Sequence, residues 1–175
     1  LLQKPAPELA KLRGQSFTLP TVELNNVTNA MDNVRGDTME ILAEFEPGTA
    51  KSFGLRLRVS NDGSQAVTVS YDGEILSAAG VQAKLALPEN QKLLKLHIFI
   101  DRSVMEVYAN DRACLTKVIY PGEHDLGLGV FADGGKVKLK SFNAWMVMIN
   151  MERLTHLCVW RRKPNIAKNP LSKPE

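Results

Sequence analysis

The sequence predicts an all-β protein, an antiparallel two-sheet β-sandwich of roughly ten or more short strands. Three observations carry that prediction. Apolar residues recur with a period of two. Turn signals separate the runs at ~8–12-residue spacing. No helical pattern of about ten residues or more lies between residues 15 and 148.

Residues 1–20 read as a connector. Pro5 and Pro7 hold the chain extended and disfavour helix just before themselves. Pro7 to Arg13 then suits a short helix, with Leu9 and Leu12 on one face and Gly14 to close it. The sandwich domain is expected over 21–148. Met39, Ile41, Ala43 and Phe45 alternate with Glu40, Leu42 and Glu44. Leu55, Leu57 and Val59 alternate with Arg56, Arg58 and Ser60, and Val67, Val69 and Tyr71 with Thr68 and Ser70. Each pattern gives a strand one buried and one wet face, with Arg58 on the wet one. Asn61-Asp62-Gly63-Ser64 and Asp72-Gly73 supply turns in which glycine allows positive φ.

The run from Leu94 to Ile100 is apolar on both parities apart from Lys95 and His97, which predicts a central strand with Leu96, Ile98 and Ile100 on one face and Phe99 on the other, covered on both sides or bordered by the connector. Asp101-Arg102-Ser103 turns the chain into Val104–Ala109, and Asn110-Asp111-Arg112 turns it into Ala113–Tyr120. Asp133-Gly134-Gly135, between Leu126–Phe131 and Val137–Val147, reads as a third hairpin turn. The segment 149–175 is basic and interrupted by Pro164, Pro170 and Pro174, and reads as an appended tail.

The formal net charge of +3 comes from that tail. Residues 150–175 hold six of the 22 basic side chains and two of the 19 acidic ones, which leaves −1 on the first 149 residues. A domain without a basic excess argues against a nucleic-acid partner. No run of ~18 apolar residues marks a membrane span, and no signal-peptide pattern is present; the compartment is left open. A start at Leu1 without Met suggests that the chain is part of a longer one. Cys114 and Cys158 lack zinc-site spacing and read as idle thiols.

Three segments together carry a resemblance. Leu2-Gln3-Lys4-Pro5-Ala6-Pro7-Glu8-Leu9 with Leu12-Arg13 is the first, and Leu96-His97-Ile98-Phe99-Ile100-Asp101-Arg102-Ser103-Val104-Met105-Glu106-Val107-Tyr108 is the second. Thr116 to Pro121, followed by a glycine-rich strand and Ala144-Trp145, is the third. In order and spacing they resemble the C-terminal part of glycoside hydrolase family thirty-two, the invertase, fructanase and sucrose-6-phosphate hydrolase group. The resemblance implies a two-sheet β-sandwich of jelly-roll or concanavalin-like type behind a catalytic five-bladed β-propeller. It also implies a parent enzyme that hydrolyses β-fructosides with retention, by an Asp nucleophile and a Glu acid. The propeller's carboxylate segments (N-D-P-N-G, E-C and R-D-P) do not occur here.

The function expected is therefore that of a non-catalytic accessory module that stabilises the propeller, its partner. An autonomous carbohydrate-binding, lectin-like module is the alternative, and a carbohydrate or a second copy is a further possible partner. Asp101 and Glu106 could be read as an acid/base pair. Turn chemistry accounts for Asp101 and Ser103, however, and Glu106 is expected to pair with Arg102 or Arg112, so no residue is assigned a catalytic role. His97 and His124 lack a third ligand, and Asp62, Asp72 and Asp133 precede glycines as turn residues, so neither metal nor cofactor is expected. Tyr71, Tyr108 and Trp145 are candidate sugar contacts, weighed against core packing. Leu2, Leu9 and Leu12 are candidate inter-module contacts.

Overall fold

The computed structural model describes residues 2–88 and 92–148. The proposed tail, with Cys158, lies outside them. A short 3-10 helix over Pro7–Leu12 precedes eleven antiparallel strands. These are β1 (Arg13–Leu19), β2 (Val22–Arg35), β3 (Thr38–Pro47), β4 (Ser52–Val59), β5 (Val67–Tyr71), β6 (Ile75–Ala78), β7 (Val81–Lys84), β8 (Leu94–Asp101), β9 (Val104–Ala109), β10 (Ala113–Val118) and β11 (Gly127–Val147).

The strands form two layers joined through β11. Its first part, Gly127 to Asp133, lies between β2 and β4, and β5, β6 and β7 continue that layer. Its last part, Phe142 to Val147, lies between β1 and β3, and β8, β9 and β10 continue the second layer. At the far edge β10 packs beside β6 and β7, so the two layers also meet there. We call the layers sheet I (β2, β4–β7) and sheet II (β1, β3, β8–β10), with β11 shared.

Period-two alternation fills the space between them. Met39, Ile41, Ala43 and Phe45 of β3 and Leu94, Leu96, Ile98 and Ile100 of β8 point inward, none more than 2% exposed. They face Phe53, Leu55, Leu57, Val69 and Leu76 of sheet I, which are buried as well. Phe45 and Phe53 stack across the interface with centroids 5.5 Å apart, and Phe53 meets Tyr71 edge-on at 5.8 Å. Each fully buried side chain of this size contributes about 1.5–3 kcal/mol, so the two facing alternations supply the main driving force for the fold.

Local turn chemistry behaves as the sequence indicates. Asp62 Oδ1 accepts from the Ser64 amide, and hydrogen bonds from Ser60 and Ser64 hold its carboxyl down at about 2. Asp72 Oδ1 accepts from the amides of Glu74 and Ile75. Arg102, Asn110 and Asp111 take left-handed φ values of 51°, 49° and 57° in the β8–β9 and β9–β10 hairpins.

Three expectations are corrected. Asp133-Gly134-Gly135 is not a hairpin turn. Between Ala132 and Lys136 the register of β11 against β2 shifts while Val27 advances only to Asn25, so the three residues form a bulge inside one long strand. The bulge bends β11 from sheet I into sheet II. Residues 13–19, within the segment read as connector, form β1 and pair with β11. Arg58 is 4% exposed and not on a wet face. A register shift opposite Gly127 and Gly129 and a φ of 53° turn its side chain inward. Phe99, on the parity opposite Leu96, Ile98 and Ile100, is half-buried on the outer face of sheet II, and of the two covers expected for that face the connector is the one present.

Candidate functional site

The outer face of sheet II collects most of the chemistry. The register places Ser16, Trp145, Glu40, Phe99, Glu106 and Thr116 in one row across β1, β11, β3, β8, β9 and β10. Thr18, Asn143, Leu42, His97, Tyr108 and Cys114 form the next. These are the wet-parity positions, since their neighbours along each strand point into the core.

The connector crosses this face diagonally. At the β9–β10 hairpin the Gln3 amide donates to the Asp111 carbonyl at 3.0 Å, and Lys4 Nζ lies 2.9 Å from Asp111 Oδ2. At the opposite end of the sheet the Met148 amide donates to the Leu12 carbonyl at 2.9 Å. Between these anchors Pro5, Pro7, Leu9 and Ala10 enclose a 190 Å3 cleft over Glu40, His97 and Phe99.

Glu40 is the centre of the arrangement. Its side chain is only 2% exposed. Burying a carboxylate is costly unless charged hydrogen bonds replace its water, and here three do. Arg13 donates from Nε to Oε2 at 2.8 Å and from Nη2 to Oε1 at 2.7 Å, the bidentate geometry that planar guanidinium favours. His97 Nε2 lies 2.7 Å from Oε1. Because an ionised carboxylate only accepts, this ring nitrogen carries the proton. Burial alone would raise the Glu40 pKa, but the hydrogen bonds and charges of Arg13 and His97 together hold it below the ordinary carboxylate value. The Arg13 guanidinium also sits 3.9 Å above the Trp145 ring. Arg13, the strand residue that receives the chain from the connector, is thus clamped to β3 and β11, and Glu40 ties β8 to the same point.

The structure distributes the sequence candidates as follows. Tyr71 is 1% exposed and its single O–H is shared between the carbonyls of Gly73 and Leu85, which places it in the core with no ring face open to a sugar. Trp145 is half-exposed with one face under Arg13. Tyr108 is half-exposed, edge-on to Phe99 at 6.4 Å, with its hydroxyl 3.4 Å from Glu106 Oε2. Burial first, then the charges of Glu106 and Cys114, push its phenol up to about 12, so it stays protonated. Glu106 therefore meets Tyr108 and not Arg102 or Arg112, and it stands opposite Phe99 while Asp101 faces Val104. Leu2 and Leu12 are 71% and 39% exposed, whereas Leu9 is turned toward its own sandwich in the cleft. No group of three metal-ligating side chains occurs among the described residues.

Arg13, Glu40 and His97 were not joined by sequence reasoning. Glu40 and His97 both fall on wet parity, which reads as solvent exposure. Only the register that sets β3 beside β8 under the connector brings them together.

The fold and this face define a β-sandwich module whose buried Arg13–Glu40–His97 cluster grips its own N-terminal connector. The chain belongs to the family described as glycosyl hydrolases family 32 C terminal, whose model matches residues 8–146. Among curated proteins it is similar to a levanase of Bacillus subtilis, 32% identical over 81% of this chain and 24% of the levanase. A raffinose invertase of Escherichia coli is 29% identical over 84% of this chain and 32% of the invertase. The chain thus spans about a quarter to a third of these relatives' length. Among solved structures, fructan 1-exohydrolase IIa from Cichorium intybus superimposes with a TM-score of 0.74 at 16% identity, covering 83% of this chain and 38% of that one. An exo-inulinase from Aspergillus awamori superimposes with a TM-score of 0.69 at 20% identity, over 84% and 32% of the two chains. At such identities the superpositions establish the sandwich fold.

Proposed function

We propose that this chain is the non-catalytic accessory module of a β-fructosidase-type glycoside hydrolase, and that it holds a catalytic propeller module in place through its connector. The observation that carries the reading is the clamp on the connector. Arg13, Glu40 and His97, with the Asp111 and Met148 anchors, make the segment leading into the sandwich a fixed part of sheet II. A module joined through it would be held at one orientation. The family match supports the parent class, because most of the relatives' length lies outside the matched part.

Carboxylate chemistry also favours a non-catalytic role. Retaining hydrolysis needs one free carboxylate and one carboxylic acid about 5–5.5 Å apart, whereas the Glu40 carboxylate is occupied by N–H donors of Arg13 and His97. The purified chain is expected to release no fructose from sucrose, raffinose or levan. Turnover that survives repeated purification and disappears in Asp101→Ala or Glu106→Ala would overturn this reading.

A further inference from the structure

A second opening lies on sheet II beside the clamp, at the end where the connector is anchored to Asp111. This groove has a volume of 490 Å3 and is lined by Leu42, His97, Tyr108, Arg112, Ser141 and Asn143, among others. That volume falls within the ~300–1,000 Å3 of small-molecule sites. The register sets Asn143, Leu42, His97 and Tyr108 in one row, so an apolar side chain and an aromatic ring alternate with polar groups across neighbouring strands. Ser141 lies two residues along β11, on the same face.

Among the described residues the side chains of Asn143, Ser141 and Arg112 make no hydrogen bond within the protein, although Ser141 and Asn143 are half-buried. Lys95 and Glu44 are paired across the floor at 3.4 Å and offset each other's charge. The groove therefore presents unused donors and acceptors around a small apolar platform, without a strong field for an ion. It is also poor ground for a protein partner, whose contact needs an apolar centre. The strongly exposed hydrophobic side chains Val104, Val118 and Tyr120 lie at the other end of β9 and β10, outside this lining.

We propose that this groove binds a short neutral oligosaccharide of the β-fructoside class. Leu42 and the Tyr108 ring meet the C–H face of a sugar, and Asn143, Ser141 and Arg112 hydrogen-bond its hydroxyls. An apolar patch ringed by convergent hydrogen-bonding groups suits a sugar, which offers a C–H face and many hydroxyls. The choice of β-fructoside rests on the proposed parent activity.

Amide spectra of the isotopically labelled chain, titrated with levan- and inulin-derived trisaccharides, test the proposal. Saturable shifts are expected at Leu42, Tyr108, Ser141 and Asn143, with a Kd on the order of 1 mM. Asn143→Ala and Tyr108→Ala should each weaken binding about five- to tenfold through a lost hydrogen bond or lost ring contact. The unfolding midpoint of Asn143→Ala should stay unchanged, while Thr68→Ala on sheet I should bind as the parent chain does. Absence of a saturable response, or a response that maps to sheet I, overturns the proposal. So does broadening of these resonances by a catalytic module alone, which would make the groove a protein contact. Equal binding of cellotriose overturns the fructoside assignment. None of these outcomes bears on whether the chain releases fructose, so the accessory role stands or falls separately.

Discussion

A guanidinium presents five N–H donors in one plane, and at Arg58 three of its nitrogens reach backbone carbonyls in two loops. Nε donates to Asp125 at 2.6 Å, Nη1 to Arg102 at 2.8 Å and Nη2 to Gly122 at 3.2 Å. The first and third belong to the β10–β11 loop and the second to the β8–β9 turn, so one side chain ties together the end of the sandwich. Removing it gives up three hydrogen bonds from a charged and buried donor, each worth about 1.5–3 kcal/mol. Phe99 has less to lose, because it is half-buried beneath the connector and a fully buried Phe costs ~3–5 kcal/mol on truncation. Arg58→Ala should therefore cost roughly 3 kcal/mol or more, and Phe99→Ala should cost less. Arg58→Lys should recover little, since one ammonium cannot span three acceptors. Urea denaturation of the three variants checks the order. If Phe99→Ala proves the more damaging, the inward placement of Arg58 is wrong.

At the scale of the element, β11 decides the architecture, and its corner depends on glycine. Gly135 has a φ of 150°, and a Cβ there would collide with the Thr49 carbonyl; Gly134 has a φ of 68° against the Lys51 side chain. Gly135→Ala should destabilise the domain by about 1–3 kcal/mol, whereas Gly63→Ala, with open space around it, should cost less. Thermal melts of the two variants separate local turn strain from loss of the corner. The same corner shows what the sequence can and cannot specify. Asp133-Gly134-Gly135 has the composition of a hairpin turn. Whether a glycine pair reverses a strand or bends it depends on partners β2 and β3, which lie about a hundred residues away in sequence. The hairpins around Arg102 and Asn110-Asp111 were legible because their residues determine the turn locally. β1 and β2 were not, because Gln15, Ser16, Asn25, Asn26 and Asn29 blur the alternation, and both strands are recruited by β11.

For the whole molecule, the two inward faces were readable from parity, since burial of Ile41, Leu55, Leu96 and Ile98 needs only period two. The outer face was not, because parity marks Glu40, His97 and Phe99 as wet without saying what crosses over them. The connector does so, and its attachment carries a pH dependence. The folded Glu40 carboxyl sits below its ordinary value of 4.5, so its contribution is fully present above that value and is lost as pH falls through the lower, folded one. Protonation removes the charge that Arg13 and His97 share, and the connector loses its central tie while the β-sandwich core keeps its own contacts. Amide resonances of Leu9 and of Met148, whose N–H bonds to Leu12, should therefore move together on acidification, with a midpoint below 4.5. Those of Val69 and Leu76, in sheet I, should stay fixed over the same range. Glu40→Gln keeps the shape but not the charge, so it should show the loosened positions already at neutral pH and no concerted transition on acidification. A transition retained in Glu40→Gln would assign the acid response to another group and remove Glu40 from the role of tie. A Val69 shift that tracks Leu9 would mean that the clamp and the core open as one unit, so that the connector is as integral to the fold as β1.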